Sequence, residues 1–244
     1  LAAYAGACRD HARNGGWDGC SMADIARTAG RRRAHHARRL GVVAADREEL
    51  AARLDAFCRG ESAELVASGT AAREGCRRIA FVYSGQGPQW WAMGRELLQR
   101  EAVFQEAIAA CDRILRPLAG WSIAAELTAA ESESRIGMPA VAQPAIFCLQ
   151  MALTSLWDSW GVRPDAVLGH SVGEAAAAWA GGILTLEDAL LAIYHRGRCM
   201  QIVPPTGRML AAGLAREDAE AVVAPFAGRV TIGAVNSPES VTLS

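Results

Sequence analysis

The chain has 244 residues, 51% of them hydrophobic and 21% charged, a balance that fits one large domain or one and a half smaller ones around a substantial core. A formal net charge of −1 and an aromatic content of 6% give no overall field that would draw the chain to nucleic acid or an anionic membrane. No charged leader followed by a long apolar run is visible and no apolar stretch reaches a bilayer span, so a soluble, cytoplasmic protein is expected.

The N-terminal part reads as a small α/β unit. An alanine-rich helical pattern runs from Leu1 to about Asn14 and breaks at Gly15-Gly16. A second helix is announced by Ser21-x-x-Asp24, where the hydroxyl can accept from an orphan N–H, and it is expected to end before Gly30. The run Arg31-Arg32-Arg33-Ala34-His35-His36-Ala37-Arg38-Arg39 leads into apolar Leu40-Gly41-Val42-Val43 and reads as a solvated strand face rather than a nucleic-acid patch, because acidic residues follow at Asp46, Glu48 and Glu49. Asp46 then caps a third helix with Leu50, Leu54, Phe57 and Cys58 on one stripe, ending at Gly60. Residues 61–77 are small and polar without periodicity and are expected to be a linker.

Arg78-Ile79-Ala80-Phe81-Val82-Tyr83 is a short apolar run that fits a buried parallel strand, followed by Ser84-Gly85-Gln86-Gly87-Pro88-Gln89-Trp90-Trp91 and a helix from about Met93. A glycine-flanked glutamine beyond the carboxyl end of a core strand stands where ligands bind in open α/β sheets, although a plain strand-to-helix turn has the same pattern. Helical patterning resumes over 101–115, halts at Pro117 and Gly120, and after a polar stretch at 128–135 restarts at Gln143-Pro144. That helix, read over 144–160, places Leu149, Leu153, Leu156 and Trp160 on one stripe.

Val167-Leu168-Gly169-His170-Ser171-Val172-Gly173-Glu174-Ala175 reads as strand, sharp turn and helix with a serine at the apex, a nucleophile elbow. The glycines at 169 and 173 remove side chains that would collide where strand and helix cross. The N–H of Val172 and the positive end of the helix then lie where an oxyanion would form. After the elbow helix, Gly181-Gly182 closes it and Thr185-x-x-Asp188 caps another helix running to about Gln201, with Pro204-Pro205 as its stop. The tail alternates: a strand over 209–214, a helix from Arg216 to about Pro225, a strand over 230–235, a turn at Asn236-Ser237-Pro238 and a further strand from Val241.

A serine nucleophile needs a base, and the five histidines are His11, His35, His36, His170 and His195. His170 should leave the elbow on another side, and His195 sits next to Arg196 on a helix, where neighbouring side chains diverge by about 100°. Arg196 near a helix end could hold a substrate carboxylate bidentately or merely compensate the helix dipole. The seven cysteines, Cys8, Cys20, Cys58, Cys76, Cys111, Cys148 and Cys199, show no C-x-x-C and no metal-ligand spacing, so no metal site is expected.

Five motifs taken together, Phe81-Val82-Tyr83-Ser84-Gly85-Gln86-Gly87-Pro88-Gln89-Trp90, Gln143-Pro144-Ala145, Gly169-His170-Ser171-Val172-Gly173-Glu174, His195-Arg196-Gly197-Arg198 and Asn236-Ser237-Pro238, resemble the acyltransferase domain of type I polyketide synthases, which is related to malonyl-CoA:acyl-carrier-protein transacylases. The resemblance implies three parts: a ketosynthase-to-acyltransferase linker unit over 1–76, the first part of a hydrolase-like α/β parallel-sheet core over 77–204, and the start of a small ferredoxin-like α+β subdomain over 205–244. It implies a ping-pong transfer with no bound cofactor, in which Ser171 takes an acyl group from acyl-CoA and passes it to the phosphopantetheine thiol of an acyl carrier protein. The backbone N–H groups of Gln86 and Val172 would form the oxyanion hole, Arg196 would clamp a malonyl carboxylate, and His170 and Met200 would line the pocket. A small aliphatic residue after the serine, Val172, favours malonyl-CoA over larger extenders in such families. Implied partners are the carrier protein, the adjacent ketosynthase and the other domains of a multifunctional antibiotic-type synthase. The family's catalytic histidine is expected beyond residue 244, which makes the chain a C-terminally truncated piece with an open sheet edge and reduced activity. A serine esterase or thioesterase, and a non-catalytic scaffold fragment, are the alternatives.

Overall fold

Helix caps written in the sequence set the first elements. In the structure, a computed structural model that describes residues 1–71, 78–202 and 207–244, α1 spans Ala2–Arg13 and α2 spans Met22–Arg31. Ser21 Oγ accepts from the Asp24 N–H at 3.1 Å while the Asp24 carboxylate accepts from the Ser21 N–H at 3.2 Å, a reciprocal capping box. Helix α2 runs past Gly30 rather than stopping before it, since a glycine inside a helix costs only about 1 kcal/mol. Strand β1 (Arg38–Val42) precedes α3 (Arg47–Cys58), whose first turn is capped by Asp46 accepting from the Glu49 N–H at 2.8 Å. The expected linker over 61–77 is corrected in part: Val66–Thr70 is a strand, β2, antiparallel to β1 with Arg38 opposite Thr70 and Val42 opposite Val66. The remainder of that stretch, 72–77, lies outside the described residues.

The chain divides into two units, Leu1–Arg77 and Arg78–Ser244. The second is built on a parallel pair, β3 (Ala80–Tyr83) and β4 (Ala166–Gly169), in register from Ala80 opposite Ala166 to Tyr83 opposite Gly169. Between them run α4 (Arg95–Arg100), α5 (Ala102–Ala119), α6 (Ile123–Thr128) and α7 (Pro139–Ser159). Parallel strands require such a crossover, and helices covering the sheet make a mixed α/β fold. Phe104, Ile108, Cys111 and Leu115 recur at steps of four, three and four on α5, and all are fully buried. Pro117 does not halt that helix, which continues to Gly120 in a left-handed cap.

Helix α7 starts earlier than expected. Pro139 takes the first position, where its missing N–H costs nothing, and Pro144 sits inside, where it forfeits one backbone bond. Val141, Ala142, Gln143 and Ala145 to Cys148 are all buried, and that burial offsets the lost bond; Trp160, assigned to the apolar stripe, is instead 56% exposed at the helix end. By length and hydropathy α7 could cross a membrane, but 67% of the apolar stretch is buried inside the fold, as befits a core helix. Helices α8 (Gly173–Ala180) and α9 (Leu186–Ile202) follow β4, the latter capped by Thr185 Oγ accepting from the Asp188 N–H at 3.1 Å. The expected stop at Pro204-Pro205 lies outside the described residues. The tail forms β5 (Leu210–Ala212), α10 (Arg216–Val223), β6 (Ile232–Ser237) and β7 (Ser240–Leu243), an antiparallel sheet of order β5-β7-β6. Asn236 and Ser237, read as part of a turn, belong to β6, and the turn is confined to Pro238 and Glu239.

Candidate active site

Two glycines let the elbow form. A Cβ on Gly173 would collide with the Tyr83 carbonyl, and one on Gly169 with the carbonyl of Gly173, so α8 crosses the ends of β3 and β4 at a separation that only glycine permits. Ser171, between them, has φ +55°, a left-handed conformation costly for a residue with a Cβ. The turn is held by Gly173 N–H to His170 C=O at 2.9 Å and Glu174 N–H to Ser171 C=O at 3.1 Å. Val172 is fully buried, and among the described residues its N–H and that of Gln86 donate to no backbone acceptor.

The loop carrying Gln86 is pinned against the elbow. Gln150 of α7 donates to the Ser84 carbonyl at 2.8 Å, and the Gly87 N–H donates to Gln89 Oε1 at 2.7 Å. Gly85 leaves room for the elbow itself, since a Cβ there would stand 3.0 Å from the His170 carbonyl and 3.1 Å from the Ser171 Cβ.

Arg196 reaches the serine from α9: its Nη2 donates to Ser171 Oγ at 3.0 Å and its Nη1 to Gln143 Oε1 at 2.7 Å. Gln143 Nε2 donates in turn to Gln86 Oε1 at 3.0 Å and lies 2.8 Å from Met200 Sδ. This convergence needs α9 close to the first turn of α7. Gly197 allows it, because a Cβ there would stand 2.7 Å from the Pro139 carbonyl. Serine, arginine and glutamine thus meet at the end of the parallel pair, where open α/β sheets place their sites.

These elements match a known family. The family model described as acyl transferase domain matches residues 80–244. The chain belongs to the acyltransferase domain family. Polyketide synthase GfsE of Streptomyces halstedii is 38% identical over 229 residues, covering 92% of this chain and 6% of that protein. Erythronolide synthase EryA3 of Saccharopolyspora erythraea is 39% identical over 212 residues, covering 87% of this chain and 7% of that protein. Among solved structures, the acyltransferase domain from module 8 of the salinomycin polyketide synthase superposes with a TM-score of 0.82 at 32% identity, over 99% of this chain and 57% of that one. The malonyl-CoA:ACP transacylase of Synechocystis sp. PCC 6803 gives a TM-score of 0.59 at 28% identity, over 69% of this chain and 55% of that one. The chain therefore spans a small fraction of the curated synthases it matches and a little over half of these solved domains.

Within this acyltransferase fold the expected site residues do not all converge. Ser171, Arg196, Gln86 and Met200 are joined by hydrogen bonds through Gln143. His170 Nε2 lies 3.4 Å from Asn236 Oδ1, while Asn236 Nδ2 donates to Thr242 Oγ1 at 3.0 Å. His195 lies edge-on to Tyr194 with ring centroids 5.2 Å apart. Gln143 and Thr242 received no role in the sequence reading. A lone amide inside the apolar run Val141-Ala142-Gln143-Pro144-Ala145 was the available signal, because a polar group at a core position is costly unless it is hydrogen-bonded.

Proposed function

We propose that this chain transfers an acyl group, by preference malonyl, from a CoA thioester to the phosphopantetheine thiol of an acyl carrier protein in polyketide assembly. The observation that carries the reading is the 3.0 Å hydrogen bond from Arg196 to the oxygen of the elbow serine, which places a fixed cation at the attacking atom. Ser171 Oγ attacks the thioester carbonyl, the C–O bond forms as the C–S bond breaks, and the CoA sulfur leaves with a proton. The oxyanion formed on the way faces the N–H groups of Gln86 and Val172, which hold it by hydrogen bonds. The free malonyl carboxylate lies against Arg196, whose planar fork suits a carboxylate as no lysine would. In the second half the pantetheine sulfur attacks the acyl-serine carbonyl, the new C–S bond forms as the C–O bond to Ser171 breaks, the thiol proton passes to Ser171 Oγ, and the product thioester leaves. Since His170 and His195 both face other groups, neither is assigned the role of base.

Residues 1–76 are read as the ketosynthase-to-acyltransferase linker unit, supported by a salinomycin synthase domain that aligns over 99% of the chain, and the tail as part of a small ferredoxin-like subdomain. The test is intact-protein mass after mixing with malonyl-CoA, with Ser171→Ala as control. A malonyl adduct lost in the control, and lost again when a carrier protein is added, is the expected result. Steady CoA release without an adduct would make the chain a hydrolase, and no reaction at all would remove the catalytic reading.

A further inference from the structure

We infer that Gln143 is a positioning residue that fixes the plane of the Arg196 guanidinium and ties it to the loop carrying Gln86, so that the preference for a carboxylate-bearing acyl group depends on an amide that need not touch the substrate. This rests on the acyltransferase reading above. Three observations carry it. Gln143 is fully buried, with Glu126 one of the two buried polar or charged residues among the described residues, and it stands in the apolar part of α7. Its amide meets groups from two separate segments, the guanidinium and Met200 sulfur of α9 and the Gln86 side chain after β3. Arg196 in turn divides its nitrogens, Nη1 toward Gln143 and Nη2 toward Ser171.

The chemistry of the donors dictates the direction of this chain. A guanidinium has only N–H groups and accepts nothing, so the oxygen of the Gln143 amide must face it. The Nε2 end is then left to donate to Gln86 Oε1. Turning the amide over would set N–H against N–H on one side and oxygen against oxygen on the other. The cation therefore orients the buried amide and the amide orients the cation. A flexible arginine on an exposed turn of α9 is thereby held with one edge turned to the serine, and a bidentate carboxylate contact is available without ordering the side chain at each turnover.

The test presents the protein with equal malonyl-CoA and acetyl-CoA and reads both adducts on Ser171 by intact mass at short times. Because both adducts come from one preparation, the ratio does not depend on how much of it is folded. Gln143→Leu keeps the volume and removes the amide, and Gln143→Glu places a carboxylate against Arg196 and competes with the substrate for it. The malonyl-to-acetyl ratio is expected to fall about tenfold in Gln143→Leu and further in Gln143→Glu, the scale of one charged hydrogen bond. A residue that only filled the core would lower both adducts alike and leave the ratio unchanged. If Arg196→Ala collapses the ratio while both Gln143 variants keep it, the inference on Gln143 falls and the clamp stands. If Arg196→Ala keeps the ratio, or the unaltered protein forms no adduct, the reading beneath it falls as well. Failure of both Gln143 variants and of Gln143→Met to fold would make the residue a structural one and overturn the inference.

Discussion

Arg196 of α9 and Ser171 in the turn before α8 lie 25 residues apart, yet the guanidinium Nη2 stands 3.0 Å from the serine oxygen. The same nitrogen that touches the nucleophile is thus within reach of any carboxylate on an acyl group attached to it. Replacing Arg196 with Ala removes a charged hydrogen bond worth about 1.5–3 kcal/mol, so acylation by malonyl-CoA should fall about 10- to 150-fold relative to acetyl-CoA. Arg196→Lys should restore only part of that preference, because an ammonium is a point charge without the fork that serves Gln143 and a carboxylate together. Acylation rates for the two thioesters with each variant decide it, and an unchanged ratio in Arg196→Ala would remove the clamp.

The elbow carries strain that can be measured apart from its chemistry. Ser171 at φ +55° bears a cost of about 1–2 kcal/mol for having a Cβ in the left-handed region, while glycine gives back about 0.5–1 kcal/mol through the entropy of the unfolded chain. Ser171→Gly should therefore be more stable than Ser171→Ala by about 0.5–1 kcal/mol, and neither should form an adduct. Urea titration of the two variants reads the difference. Equal midpoints would mean that the turn relaxes without cost.

Much of this site was legible because the elbow is written in consecutive residues: Gly169, Ser171 and Gly173 are separated by single positions, and the constraint they satisfy is local. The caps at Ser21, Asp46 and Thr185 were legible for the same reason. Strand β2 was not. Its residues Val66–Thr70 are small and almost all exposed, so no alternation marks them, and they are strand only because β1 supplies the ladder. Gln143 was quoted within a motif but given no role, since its partners Gln86 and Arg196 are 57 and 53 residues away and the apolar run around it marks a buried amide without saying what it bonds. The start of α7 was misplaced because Pro144 resembles a helix opening, whereas the residues before it gain more from burial than one backbone bond is worth.

Gly173 and Gly137 make a matched pair. A Cβ on Gly173 runs into the Tyr83 and Ser84 carbonyls, backbone atoms that cannot swing aside, whereas one on Gly137 meets nothing within 4 Å. Gly173→Ala should cost at least about 2 kcal/mol and abolish acylation by displacing Ser171, while Gly137→Ala should be neutral or stabilising by about 0.5 kcal/mol. Thermal unfolding and adduct formation on both variants give the comparison. Should Gly173→Ala retain full stability, α8 does not cross the strands as closely as described.

The N-terminal unit contains an acid-sensitive joint. Asp55 on α3 accepts from Arg9 at 2.9 Å and Arg13 at 3.2 Å on α1, and from Arg59 at 2.5 Å. The Arg13 hydrogen bond, helped by Arg9 and opposed by desolvation, holds the Asp55 carboxyl below its ordinary value. A carboxyl depressed in the folded state binds protons more readily when unfolded. Its contribution to stability is therefore complete above the unfolded value of about 3.9 and drains away as the pH falls toward the depressed folded one. Asp55→Asn should accordingly be less stable than the unaltered protein at pH 6, with the gap closing as the pH is lowered to about 3. Because these charges are solvated, high salt should narrow the gap at pH 6 as well. Urea midpoints for both proteins at the two pH values test this, and a gap that persists unchanged at low pH would mean that Asp55 holds α1 to α3 by its shape and hydrogen bonds rather than by its charge.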